Sequence, residues 1–118
     1  ATSNDKEFES MSTSKLFRNP STSDIKLTHY WREGNDILVE ATNTTNQYVY
    51  VKITAKGTGL DGKVNGVAYG VIAPKSTAKV MGGFKQFLLD LDPSGFEVEK
   101  VAIFDMDKAI DNMKKNLK

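Results

Sequence analysis

Residues 71–80 read Val-Ile-Ala-Pro-Lys-Ser-Thr-Ala-Lys-Val, an apolar run that stops at Pro74 and resumes after a lysine and two hydroxyl residues. Such a polar group could be an anion-binding loop or a plain turn. A phosphate loop needs several converging backbone N–H groups, usually with glycine between them and a helix directly behind. Here the proline removes one donor and the stretch contains no glycine. It therefore predicts a turn between two strands, with Lys75 and Ser76 at its exposed tip.

Strand patterns continue on both sides of this turn. The clearest covers residues 48–55, where β-branched residues alternate with Tyr48, Tyr50 and Lys52. Residues 25–32 and 37–42 alternate around the turn at 33–36, which predicts a hairpin whose first strand has Ile25, Leu27, His29 and Trp31 on one face. Further strands are predicted at 67–72, 77–81, 84–91 and 96–104, and in the third of these Phe87, Leu89 and Leu91 share a face. The segments between them are predicted to be a glycine-rich loop or irregular edge at 57–66, a break at Gly82-Gly83 and a turn at 92–95.

About seven short strands separated by turns predict a mainly β protein, an antiparallel sandwich or barrel. The two ends of the chain differ from this middle. Residues 1–23 are rich in Ser, Thr, Asn and charge, which predicts a polar tether or arm. Apolar residues recur at three- and four-residue steps within residues 105–117, which predicts an amphipathic C-terminal helix. Residues 24–118 are therefore expected to form one domain that ends in this helix.

Composition excludes several classes of function. The 118 residues carry 16 basic and 15 acidic side chains, a balance that argues against a dedicated nucleic-acid binder. The lack of cysteine excludes thiol catalysis, disulfides and thiolate zinc sites, and a single histidine excludes a multi-histidine metal site. No run of about 18 apolar residues is present, so we expect no membrane span. The sequence predicts no cofactor and does not define the oligomeric state.

Few side chains suggest chemistry. His29 is the only residue whose ordinary pKa lies near neutrality, and it fits a histidine at the edge of the core with one hydrogen-bonded nitrogen. The aspartates around residue 105 lack the glycine and the terminal glutamate of an EF-hand, so they fit a helix cap better than a calcium site. A small enzyme would have to use carboxylates such as Asp90, Asp92 or Glu97. We therefore expect a protein without enzymatic activity.

Four segments resemble small immunoglobulin-like β-sandwich domains of bacterial envelope and secreted proteins. They read DIKLTHYW, ILVEATNTTNQYVYVKITAKG, GVIAPKSTAKV and FEVEKVAIFD, and Lys75 stands where the pattern of such domains usually has glycine. The resemblance implies a seven-stranded antiparallel sandwich and an adhesion, accessory or scaffolding role outside the cytoplasm. It implies no catalytic residue. An exported protein is expected, whether periplasmic, at the cell surface or secreted, with membrane tethering through a segment before Ala1 as a further option.

One strand face is the candidate binding surface. If alternate valines of residues 49–53 enter the core, Tyr48, Tyr50 and Lys52 point outward, and Leu38, Glu40 and Thr42 could line the same face on the preceding strand. The alternative is that the terminal helix or the N-terminal arm covers these side chains. The favoured function is a binding or assembly module with a protein or glycan partner. An intracellular phage- or plasmid-type accessory or toxin-neutralising protein is the alternative, and a small enzyme or a ligand-carrying barrel ranks below both.

Overall fold

The computed structural model describes residues 19–105, which form one antiparallel sheet of seven strands. A short 3-10 turn at Thr22–Asp24 leads into the first strand. The strands are β1 (Ile25–Glu33), β2 (Asp36–Asn43), β3 (Val49–Gly59), β4 (Gly62–Ile72), β5 (Ser76–Phe84), β6 (Asp90–Leu91) and β7 (Glu97–Ile103). The predictions of a mainly β, antiparallel protein and of a hairpin from β1 and β2 are confirmed.

The sheet curls into a half-barrel. Its order is β1-β2-β5-β4-β3, and both β6 and β7 pair with the far side of β3. The two ends of the sheet approach each other, since the ring centroids of Tyr30 on β1 and Phe96 beside β7 lie 4.9 Å apart. A single curled sheet accounts for the described strands, so the immunoglobulin-like sandwich is not confirmed. The predicted helix at 105–117 lies outside the described residues apart from Asp105, as does the predicted arm up to Arg18.

The core lies on the concave inner face of the sheet. Strict alternation along β2 and β3 sends every second side chain into it, as the period of a half-buried strand requires. The buried apolar residues are Ile25, Ile37, Val39, Ala41, Val49, Val51, Ile53, Ala55, Val64, Ala68, Ile72, Val80, Phe84 and Leu88. The outer face is thereby left to the intervening residues.

The glycine-rich stretch at 57–66 is not a loop, and that prediction was wrong. β3 and β4 pair continuously down to Gly59 and Gly62, which closes a tight hairpin. The glycines serve close packing: a Cβ atom at Gly57 would lie 2.4 Å from the Leu88 Cδ1 atom and 2.6 Å from the Asp90 carbonyl oxygen. Missing side chains on this part of β3 therefore make room for the segment that crosses the end of the half-barrel.

The predicted strand at 84–91 is also wrong. β5 runs through Gly82-Gly83 to Phe84, and only Asp90–Leu91 pair again with β3. Between them Leu88 enters the core with 1% exposure, whereas Phe87 and Leu89 are 58% and 52% exposed.

The loop between β5 and β6 is anchored by the β1–β2 hairpin. The Arg32 guanidinium donates to the carbonyls of Leu88 and Leu89, and the Leu88 N–H donates to Asn35 Oδ1 at 3.0 Å. Two polar side chains from the hairpin thus hold Leu88 against the core.

The predicted turn is confirmed at 73–76, but its exposed tip is Lys75 alone, since Ser76 is half-buried at the start of β5. Pro74 and Lys75 occupy its centre, and Lys75 has a φ of +51°, in the left-handed region where such turns usually have glycine. The Lys75 N–H donates to the Thr45 carbonyl at 3.0 Å, and its Nζ donates to the Thr44 carbonyl at 2.7 Å. The turn therefore packs against the connection between β2 and β3.

We expect the Lys75→Gly variant to unfold with a free energy within about 1 kcal/mol of the wild type. A non-glycine residue in the left-handed region costs about 1 kcal/mol, and relief of that strain offsets the loss of the exposed Nζ hydrogen bond. Urea denaturation measures the difference. The Lys75→Ala variant is the matched control, since it loses the hydrogen bond and keeps the strain, and it should be the less stable of the two. A loss above about 2 kcal/mol for Lys75→Gly would contradict this account of the turn.

Candidate functional site

A row of partly apolar side chains crosses the outer face of the sheet from β1 to β7. Cross-strand register links Trp31 to Leu38, Leu38 to Met81, Met81 to Tyr69, Tyr69 to Lys52 and Lys52 to Lys100. At the usual strand spacing this outer row extends about 24 Å along the sheet. Trp31, Met81 and Tyr69 are 48%, 67% and 47% exposed, so large apolar groups face solvent along a single line.

A β-bulge places Trp31 in this row. The register between β1 and β2 shifts between Leu27 and His29, which leaves Thr28 as the extra residue. Tyr30 then pairs with Val39 on the inner face, while His29 and Trp31 turn outward. The predicted shared face of Ile25, Leu27, His29 and Trp31 is therefore wrong in its second half. His29 is not at the core edge, since 68% of its side chain is exposed, although one ring nitrogen does have a hydrogen-bond partner.

A polar cluster lies beside Trp31. Lys79 Nζ sits 5.5 Å from the centre of the indole ring, and the His29 ring stacks against the indole at 6.0 Å. Glu40 Oε1 accepts a hydrogen bond from the Thr28 hydroxyl at 2.9 Å and lies 2.9 Å from His29 Nδ1. These hydrogen bonds, that of Thr28 first, hold the pKa of Glu40 below its ordinary value.

The stability contributed by Glu40 should depend on pH. Because its pKa is lowered in the folded state, this contribution is present above the ordinary carboxyl pKa and is lost as pH falls through the folded value. We therefore expect the wild type to lose more free energy of unfolding than Glu40→Gln between about pH 6 and about pH 3. Chemical denaturation at several pH values measures the difference. Thr28→Val, which removes the main donor, should reduce the slope in part; parallel curves for all three proteins would contradict the assignment.

The six residues predicted from sequence do not form one contiguous patch. Leu38, Glu40 and Thr42 lie on β2, and Tyr50 and Lys52 on β3, with β5 and β4 between the two strands. Both groups do occupy the outer face. In the part of the chain that the structure describes, Tyr48 is 39% exposed to solvent and Tyr50 is 41% exposed. Their role in binding stays a prediction.

The structure adds three side chains that the sequence did not assign to this surface. Tyr69 on β4 stacks on Tyr50 with ring centroids 6.0 Å apart, Met81 lies at the middle of the outer row, and Trp31 begins it. Tyr69 and Met81 stand at alternate positions of apolar strands, which is the signal that could have found them. Their joint position depends on which strands pair.

Other candidate chemistry finds little geometric support. The Asp92 carboxylate accepts from both the N–H and the hydroxyl of Ser94, which caps a turn and lowers the pKa of Asp92. Within residues 19–105, no three His, Asp or Glu side chains are grouped closely enough to hold a metal ion. No helix in the same range is long and apolar enough to cross a membrane.

Comparison of the chain with protein-family models, curated proteins and solved structures found no match. The outer face itself must therefore carry any inference about function.

Proposed function

We propose that the protein is a non-enzymatic binding module that contacts a partner protein through the outer row. The observation that carries the proposal is the line of exposed Trp31, Met81 and Tyr69 side chains on one sheet face. Exposed apolar groups with a polar surround are the usual composition of a protein contact surface. Glu40, Lys79 and Lys52 supply such polar neighbours here.

The face is a better contact surface than the strand edges. β1 forms one edge of the described sheet, and β6 and β7 together form the other; β1 and β7 each contain an irregularity in their pairing, at Thr28 and at Glu99, and β6 pairs over only two residues. Bulges twist an edge away from the flat geometry that another strand needs, which protects it against strand addition. The middle of the outer row, on β5 and β4, has no such irregularity.

A protein suits this face better than a glycan. Sugar rings stack on aromatic side chains, whereas the aromatic rings of Trp31 and Tyr69 are separated in the outer row by the aliphatic Leu38 and Met81. Methionine is flexible and polarisable and adapts to the irregular apolar surface of a protein partner. Following the resemblance of the sequence to immunoglobulin-like envelope domains, the proposed place of action is the bacterial cell envelope or surface.

Site-specific photo-cross-linking in the organism that encodes the protein tests the proposal. A photoreactive phenylalanine analogue at position 81 or 69 should give a discrete protein adduct, and the same analogue at exposed Lys63, on the hairpin tip, should not. Met81→Glu should abolish the adduct formed from position 69, while Met81→Leu should preserve it. Adducts of equal yield at position 63, or adducts that contain carbohydrate and no protein, would contradict the proposal. Fractionation of the cross-linked cells tests the compartment.

A further inference from the structure

A groove of about 860 Å³ opens on the outer face near the β1–β2 turn. Trp31, Leu38 and Met81 provide its apolar surface, and Glu33 and Asp36 provide two carboxylates. Glu33 and Asp36 lie two residues along from Trp31 and Leu38 on the same face of β1 and β2, so the two carboxylates border the apolar part of the groove. The apolar end of the outer row therefore continues directly into an acidic recess.

The two carboxylates face each other. Glu33 and Asp36 form the last cross-strand pair of the β1–β2 hairpin, on the face that also carries Trp31 and Leu38. Directly opposed side chains have Cβ atoms about 5 Å apart, and like charges in this arrangement are destabilising. Among residues 19–105, neither carboxylate forms a salt bridge or a side-chain hydrogen bond. The pair is thus an unfavourable arrangement that a cation in the groove would relieve.

Arg32, which also lines the groove, is already committed to other acceptors. Arg32 Nε donates to the Gly34 carbonyl at 2.8 Å, and its terminal nitrogens donate to the Leu88 and Leu89 carbonyls. Lys79 lies over the indole of Trp31, on the side of the row that holds Glu40. Even with this neighbour, Trp31 remains 48% exposed.

From this arrangement we infer that the groove binds an arginine side chain presented by the partner, an inference that rests on the proposed protein-binding function. A planar guanidinium can bond two carboxylates at once and stack on an aromatic ring, and the compact ammonium of lysine does neither as well. The methylene groups of the arginine would lie along Leu38 and Met81. The partner surface that meets this end of the outer row is accordingly basic and apolar.

Blocked tripeptides serve as probes, because Trp31 is the only tryptophan in the chain and reports directly on the groove. Acetyl-Leu-Arg-Leu-amide should change the fluorescence of Trp31 saturably. The matched lysine peptide should bind at least about threefold more weakly, and the glutamate peptide should not bind measurably. The Glu33→Gln/Asp36→Asn double variant should weaken binding of the arginine peptide about tenfold or more. Glu97→Gln, which removes an exposed carboxylate at the far edge of the sheet, is the matched control and should leave binding unchanged.

Thermal unfolding gives a second readout without any ligand. The double variant should be at least as stable as the wild type, because it removes the repulsion between the two carboxylates. Equal affinity for the arginine and glutamate peptides, unchanged affinity in the double variant, or a lower melting temperature of that variant would each overturn the inference. If the arginine peptide does not bind as expected but the cross-links at positions 69 and 81 persist, only the assignment of the groove is overturned. Loss of those cross-links with intact arginine binding would overturn the proposed function and leave the groove as an arginine site.

Discussion

Replacing Asn43 with aspartate is expected to lower the free energy of unfolding by about 3–5 kcal/mol at neutral pH. Asn43 is fully buried at the end of β2. Its Nδ2 donates to the carbonyls of Gln47, Ile72 and Ala73 at 2.8, 3.1 and 3.0 Å, and its Oδ1 accepts from the Thr45 N–H at 2.9 Å and from the Thr45 hydroxyl at 2.7 Å. One side chain thus joins the end of β2, the connection to β3 and the turn after β4.

Aspartate has nearly the same shape but no donor at this position. A carboxylate oxygen would face three carbonyl oxygens inside the protein, so both the hydrogen bonds and the neutral charge would be lost. Burial raises the pKa of such a carboxyl, so the cost should grow as pH rises above the unfolded value of about 3.9 and shrink in acid.

Urea denaturation of Asn43→Asp at neutral pH and at about pH 4 measures both effects. The Asn65→Asp variant makes the same chemical change at an exposed position of β4 and should cost less than about 0.5 kcal/mol. Similar losses for the two variants, or a cost at position 43 that does not vary with pH, would contradict the role given to Asn43.

The Gly82→Ala variant is expected to lose about 3 kcal/mol of unfolding free energy. Gly82 lies in β5, between β2 and β4, and pairs with Ala68. A Cβ atom there would lie 1.9 Å from the Val67 carbonyl oxygen and 2.4 Å from the Ala68 Cα atom. Both contacts are with backbone, so β4 and β5 would have to separate to accept a methyl group.

The Gly70→Ala variant is the control, since it adds the same methyl group to the adjacent strand. Its Cβ would meet the Val80 Cγ1 and Cγ2 atoms at 3.2 and 3.3 Å, contacts that a small adjustment can relieve. We expect a loss below about 1 kcal/mol, well under that of Gly82→Ala. Thermal or urea unfolding of both variants decides the matter, and equal losses would show that the close approach of β4 and β5 does not govern this position.

Local patterns along the chain predicted much of the β structure. The hairpin of β1 and β2, the long strand β3 and the turn at Pro74-Lys75 follow from side-chain alternation and turn chemistry between near neighbours in the sequence. The same alternation gave a wrong prediction for the residues of β1 that follow Thr28, where the register shifts. Nothing in the residues of β1 marks a bulge there, because the irregularity is defined by the pairing with β2.

Glycine and leucine positions show the same limit. Gly57 was assigned to a loop or irregular edge and Gly82 to a break, yet each leaves room for a segment that is distant in the chain, around Leu88 for the first and β4 for the second. Leu88 lies in a segment that was predicted to be a strand because its apolar residues alternate. Hydrogen bonds between the side chains of Arg32 and Asn35 and the backbone of this segment decide that Leu88, and not Leu89, is buried.

By itself, the sequence determined the β class, the turns and the outward or inward direction of most strand residues, because these depend on side-chain period and on turn residues a few positions apart. Tertiary structure alone decided that β2 pairs with β5 instead of β3, and this separated the two halves of the predicted surface. It likewise brought Trp31, Met81 and Tyr69 into one row and placed that row beside the Glu33 and Asp36 pair. Those neighbours are joined by hydrogen bonds between backbones far apart in the chain, and choosing among such pairings requires the energy of the whole packed sheet.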